Sequence, residues 1–156
     1  MKQKSLAAVF AFLFTFAIGT ASCRDNDANP SHNSGNNNPL TTKMKITIGT
    51  LVFSATLYDN PSAIKFKAML PLTIKMIELN NNEKYYDLFN NLPTNASIGG
   101  AIKVGDLSLY GNNTVVLFYK SFNTSYKYTK LGYIDNPIGL ATAFGKGNVI
   151  VKFETN

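Results

Sequence analysis

From Met44 onward, hydrophobic and polar positions alternate with period two, as in strands that turn one face to a core and the other to solvent. Met44-Lys45-Ile46-Thr47-Ile48 alternates cleanly, and Gly49-Thr50 can reverse the chain. Leu51, Phe53, Ala55 and Leu57 then interleave with Val52, Ser54, Thr56 and Tyr58, so the pattern predicts a hairpin. Residues 72–79 predict another strand and 84–89 a shorter one. Residues 106–110 and 114–120 predict a second hairpin around Gly111-Asn112-Asn113. The run from Val115 to Tyr119 is apolar throughout, which suits a central strand buried on both faces. Residues 131–134 and 148–154 complete the set, with Val149, Val151 and Phe153 facing inward.

Two short helices interrupt the strands, and each is announced by the same tripeptide, Asp59-Asn60-Pro61 and Asp135-Asn136-Pro137. An Asn side chain can accept one of the orphan N–H groups of a helix start, and Pro suits the first helical position, where no donor is needed. Ala63, Phe66, Lys67 and Leu70 would then share one face, and residues 138–144 would form a second short helix. The two aspartates are expected to favour the positive ends of these helices. Many short strands with few helices point to a mainly β chain closed, or nearly closed, into a barrel.

The first 42 residues follow different rules. Lys2 and Lys4 precede an apolar run over residues 6–18, broken only by Thr15, and then the small residues Gly19, Thr20, Ala21 and Ser22. That is the order of a secretory signal, and the run is shorter than the ~20 residues of a spanning helix. Cys23, the only cysteine, follows directly. The arrangement resembles the lipobox of bacterial lipoproteins, in which such a cysteine is acylated and becomes the mature N-terminus. Ala21 and Ser22 match that pattern, whereas Thr20 stands where a bulky aliphatic is usual. Cleavage after Ala21, leaving a free thiol, is the alternative. Residues 24–42, RDNDANPSHNSGNNNPLTT, carry one large aliphatic, Leu40, and cannot bury enough surface to offset their conformational entropy. The expected organisation is a leader over 1–22, a lipidated Cys23 with a disordered tether to residue 42, and a folded domain over 43–156. The expected location is the cell envelope, with a lipid anchor in the membrane.

Charge narrows the partners. Without Lys2 and Lys4 the 15 basic residues fall to 13 against nine acidic ones, a net charge of +4. The lysines, Lys84 among them, are spread along the chain and read as a solvated surface rather than a nucleic-acid footprint. Residues 43–156 contain no Cys, His, Arg, Gln or Trp. A Ser-His-Asp or Cys-His nucleophile has no base there, and zinc has none of its usual ligands. No phosphate-cradling glycine motif is present, so no cofactor and no metal are expected. His32, the sole histidine, falls in the tether.

The carboxylates Asp59, Glu78, Glu83, Asp87, Asp106, Asp135 and Glu154 remain, and a pair of them could do acid–base work or hold calcium. Aromatic residues crowd the second half of the domain. They can serve as cross-strand core pairs or as a ligand groove, and Tyr110, Tyr119 and Tyr126 are the candidate binding residues. Tyr126 and Tyr128, in the polar stretch SFNTSYKYTK, are expected in an exposed loop.

Three segments carry a family resemblance: FSATLYDNPSAIKFKAMLPLTIKM (53–76), VGDLSLYGNNTVVLFYKSF (104–122) and LGYIDNPIGLATAFGKGNVIVKFE (131–154). In order and spacing they resemble small bacterial proteins with a cyclophilin-like fold, many of which also have a lipoprotein-type leader. The resemblance implies a closed eight-stranded β-barrel with two short α-helices, in keeping with the strands above. Cyclophilins themselves are prolyl isomerases whose site uses arginine, glutamine, histidine, tryptophan and phenylalanine. Only phenylalanine exists in this domain, so no isomerase residue can be carried over. Two functions follow: a lipid-anchored, non-catalytic module that binds a peptide, protein or small molecule, or a divergent isomerase.

Overall fold

The computed structural model describes residues 42–156. The leader, Cys23, His32 and nearly all of the tether lie outside the described residues. Nine strands and two helices follow in the order β1 (Thr42–Ile48), β2 (Leu51–Leu57), α1 (Pro61–Lys67), β3 (Leu72–Leu79), β4 (Glu83–Asp87), β5 (Ser97–Ile102), β6 (Asp106–Tyr110), β7 (Thr114–Phe118), β8 (Phe122–Ile134), α2 (Leu140–Phe144) and β9 (Val149–Thr155). The strands pair in the order β2-β1-β9-β3-β4-β7-β6-β8-β5, and a further pairing of β2 with β8 closes eight of them into an antiparallel barrel. The ninth, β5, hangs from β8 outside the ring.

Local chemistry explains most of these elements. Gly49, at φ +58°, makes the reversal that pairs Ile48 with Leu51. The alternation of β1 buries Met44, Ile46 and Ile48, while Lys45 faces out. Asn60 caps α1: its Oδ1 accepts from the Ala63 N–H at 2.9 Å, and Pro61 occupies the first turn. The same Asn60 donates through Nδ2 to the Lys130 carbonyl at 2.9 Å, which pins the helix to β8. Asn60→Ala loses both bonds and should cost about 1 kcal/mol, read as a lower urea midpoint. Asn60→Asp keeps the cap acceptor but not the donor and should fall between the two.

The second tripeptide does something else. Helix α2 starts three residues later than its Asn would require, with Gly139 at the N-cap and no side-chain cap bond. Asn136 instead accepts from the Ile138 N–H at 3.2 Å in a local turn. The Asp135 carboxylate accepts from Thr56 Oγ1 at 2.5 Å and from Lys43 Nζ at 2.9 Å, bracing the seam where β2 meets β8. Helix capping by Asp135 is therefore corrected: partners across the β2–β8 seam outcompeted the adjacent helix end.

The core has two parts. Met44, Ile46, Phe66, Leu107, Leu109, Leu117, Val151 and Phe153 belong to the main cluster inside the barrel. Ile102, Val116, Phe118 and Tyr128 form a second cluster, joined by Tyr85 and Phe122. Strand β7 serves both, with Val115 and Leu117 in the first and Val116 and Phe118 in the second, as its unbroken apolar run predicts. Three expectations need correction, and one strand, β5, forms where the pattern predicts none. Strand β4 ends at Asp87, and Phe89 is almost wholly exposed. Strand β5 forms despite Gly99-Gly100, through a register shift between Ile98 and Gly100. The polar stretch after Phe122 is strand, not loop, and Tyr128 within it is buried. Lys84 is fully buried rather than solvated.

Candidate functional site

The second core cluster marks where the outer face of the barrel is covered. Strand β8 is 13 residues long. Only its second half stays in the ring, where residues 128–133 pair with β6 and 132–134 with β2. Its first half leaves the ring paired with β5, and Phe122 and Tyr128 pack their rings edge-on against Phe118 of β7, with centroids 5.6 and 5.4 Å away. The resulting β5–β8 arm and the β3–β4 turn bound a cleft of about 540 Å³. This is the size range of sites for small ligands or side chains.

Strand alternation dictates the lining. Glu83, Tyr85 and Asp87 of β4 face the cleft, whereas Lys84 and Tyr86 between them face the barrel interior. Thr114 and Val116 of β7, Tyr110 at the end of β6, and Phe122, Thr124, Tyr126 and Tyr128 of β8 complete the walls. Tyr110 meets Tyr126 edge-on at 6.2 Å and Tyr128 at 5.7 Å, so three tyrosines form one continuous aromatic wall. Tyr110 and Tyr126 are 46% and 64% exposed and could contact a ligand without rearrangement.

Two of the three tyrosines singled out from the sequence are thus brought together. Tyr119 is not with them. It is buried beneath α2, its ring 5.6 Å from Phe144, and its hydroxyl donates to Glu78 at 2.8 Å. Sequence reasoning missed Tyr128 as the buried aromatic of the cleft and left Glu83 undistinguished among seven carboxylates. The signal for Tyr128 was the alternation Phe122, Thr124, Tyr126, Tyr128, obscured by the polar residues between.

The electrostatics divide the carboxylates. Burial alone raises the Glu78 carboxyl, but hydrogen bonds from Lys84 and Tyr119, the Lys84 charge and the Asn81 N–H outweigh it and hold the group below the usual range. Glu83 is only 7% exposed as a residue, and among the described residues its carboxylate has no hydrogen-bond partner. Burial, with the nearby Glu78 charge, raises its pKa. Burial and the Glu83 charge push the Tyr128 hydroxyl up to about 12, so it stays a neutral donor at any physiological pH. Asp87 accepts from Thr114 Oγ1 at 2.6 Å at the outer end of the cleft. Among the described residues no three His, Cys, Asp or Glu side chains converge on a position that could hold a metal ion.

These opposed shifts give a pH prediction. A raised Glu83 pKa means that protonation favours the folded state, so its penalty is absent below about pH 4 and grows as pH rises through the folded value. The charges and titratable groups facing it are Tyr85 and Asp87 on β4, Glu78 on β3, Tyr119 beyond β7, Tyr110 on β6, and Tyr126 and Tyr128 on β8. Glu83→Gln should therefore raise Tm at pH 8 and lose that advantage near pH 4. An unchanged difference across the range would remove the buried, unpaired carboxylate from the picture.

The solution structure of a hypothetical protein from Archaeoglobus fulgidus is 16% identical, superimposes with a TM-score of 0.57, and covers 78% of this chain and 99% of its own. At that identity the likeness concerns the fold alone. No curated protein matches the chain. The family model described as cyclophilin-like matches residues 46–154, which span the barrel from β1 to β9. With that match and the closed eight-stranded barrel in agreement, the chain belongs to the cyclophilin-like family.

Proposed function

We propose that this protein is a lipid-anchored envelope module whose barrel binds a ligand in the aromatic cleft beside the β5–β8 arm, without catalysing a reaction. The observation that carries this reading is the wall of Tyr110, Tyr126 and Tyr128 around about 540 Å³ of open space, two of its rings substantially exposed. Exposed tyrosines on a rigid sheet give large contact area at low entropic cost, which is what a binding surface needs. Support for the anchor comes from the order of Lys2, the apolar run, the small residues and Cys23, followed by an Asn-rich spacer that would hold the barrel away from a bilayer.

Two measurements test it. The intact mass of the mature protein from native membranes should show an acylated Cys23 at the N-terminus, and Cys23→Ala should release the chain; a soluble form starting at Ser22 would overturn the anchor. For the cleft, a pooled peptide and metabolite screen read by amide chemical shifts should move resonances of the cleft lining. Combined Tyr110→Ala and Tyr126→Ala changes should weaken any hit about tenfold or more, while altering stability by only about 0.5 kcal/mol per exposed site. Shifts confined to other faces would place the binding site elsewhere. Clear acceleration of prolyl isomerisation at micromolar protein would favour the divergent isomerase instead.

A further inference from the structure

The cleft differs in charge from the rest of the molecule. The chain carries 15 basic residues against nine acidic, yet the cleft is lined by Glu83 and Asp87 and by no lysine or arginine. The unmet groups in its wall are acceptors. Glu83 as a residue is more than nine-tenths buried, and its carboxylate, which reaches the cleft, has no hydrogen-bond partner among the described residues. Beside it, Asn82 Oδ1 is buried without a donor among the described residues. Lys84, next in sequence, cannot help, because alternation points it through the sheet to Glu78 and the Gly147 carbonyl. What the site lacks is a cationic donor, and its walls are aromatic faces that attract one.

We propose, resting on the cleft being a ligand site, that it takes a protonated amine carried on an unbranched apolar stem, with Glu83 facing the ammonium and Tyr110, Tyr126 and Tyr128 holding the stem. Apolar stem against aromatic ring and charged head against buried carboxylate is how a long amine satisfies both of its halves at once. Asp87 lies four residues along the same strand face from Glu83, about 13 Å at the rise of a β-strand, and adds negative potential at the far end of the cleft. A lysine side chain of a peptide and a free alkyl diamine share this chemistry.

The test titrates the mature chain with three probes: 1,5-diaminopentane, the capped tripeptide Ala-Lys-Ala, and the same tripeptide with its lysine amine acetylated. One or both amines should shift the cleft resonances, and whichever binds identifies the source. The acetylated peptide should bind about tenfold more weakly or not at all. Glu83→Gln should weaken the amine about tenfold or more, and Tyr126→Ala, on the exposed rim, several-fold. Tyr126→Ala keeps the test available should Glu83→Gln disturb folding. Equal binding of the amine and its acetylated form, or binding unaffected by Glu83→Gln in a folded chain, overturns the cationic assignment. If those neutral interactions still vanish in Tyr126→Ala, the cleft remains a ligand site. If neither amine moves the cleft at 10 mM, the assignment falls, and a blank pooled screen would take the binding function with it.

Discussion

Lys84→Ala should lower the unfolding free energy by about 3–5 kcal/mol, the range for removing one partner of a buried ion pair. Lys84 has no exposed surface, and its ammonium has a partner for each N–H. It donates to Glu78, to the Gly147 carbonyl at 2.6 Å and more weakly to the Gly145 carbonyl at 3.4 Å. The charge also lies 5.2 Å from the centre of the Tyr119 ring and 5.7 Å from that of Phe144. One side chain thus ties β4 to β3 and to the turn that leads into β9. Removing it strands Glu78 and two carbonyls and opens a cavity among aromatic rings. Glu78 keeps about a fifth of its side chain in solvent, so water can take over part of its charge and the cost should sit toward the lower end. Urea unfolding of Lys84→Ala, Glu78→Gln and the double variant checks this. The double loss should be smaller than the sum of the single losses, because the pair is one unit. A loss below about 1 kcal/mol for Lys84→Ala would show that the buried ammonium contributes nothing net.

Gly132→Ala is expected to cost about 1–3 kcal/mol or more, through a clash rather than a lost contact. Gly132 stands at the barrel seam, opposite Leu57 of β2 on one side and Leu107 of β6 on the other. A methyl group there would lie 2.3 Å from the Thr56 carbonyl oxygen and 3.1 Å from the Leu57 Cα. Both are backbone atoms, so relief requires β2 and β8 to separate, which breaks the pairing that closes the ring. Gly49 is a useful contrast. A methyl group there meets nothing within 4 Å, but the backbone sits at φ +58°, so Gly49→Ala should cost only the ~1 kcal/mol of a left-handed residue. Gly49→Asn should recover part of it, because asparagine tolerates that region. If Gly132→Ala unfolds at the same denaturant concentration as the parent, the seam is not as tight as its geometry requires.

Acid adds a check on the same seam. Burial raises the Asp135 carboxyl, but hydrogen bonds from Thr56 and Lys43 and the Lys43 charge more than offset it and leave the pKa depressed. Its stabilising contribution is complete above about pH 4 and is lost as pH falls through the folded value, and Glu78 behaves likewise. The two carboxylates and Glu83 therefore pull stability in opposite directions as pH changes.

Much of the barrel is legible because strand alternation is a local property. Each of Met44, Ile46 and Ile48 declares its face through its immediate neighbours, and the Asn60 cap acts within three residues of itself. The unbroken apolar run of β7 likewise announced burial on both sides. The same local logic failed where one tripeptide met two settings: Asp59-Asn60-Pro61 starts a helix, whereas Asp135 is claimed by Thr56 and Lys43 across the seam. It failed again at Lys84, because a lysine next to a buried strand position looks like any surface lysine until Glu78 and Gly147 arrive.

The cleft shows the division most clearly. Residue types alone limit the chemistry of the domain, since a chain without Cys, His, Arg, Gln or Trp between residues 43 and 156 has few catalytic options. They also place strands, turns and one capped helix, because backbone preference and side-chain periodicity act over a few residues. Whether Tyr110 meets Tyr126 and whether Glu83 is left without a partner depend on how β8 leaves the ring and folds back over β7, and whether Tyr119 is buried depends on where α2 settles. Those contacts join positions tens of residues apart, and burial depends on every strand that arrives, so no local stretch of sequence contains it.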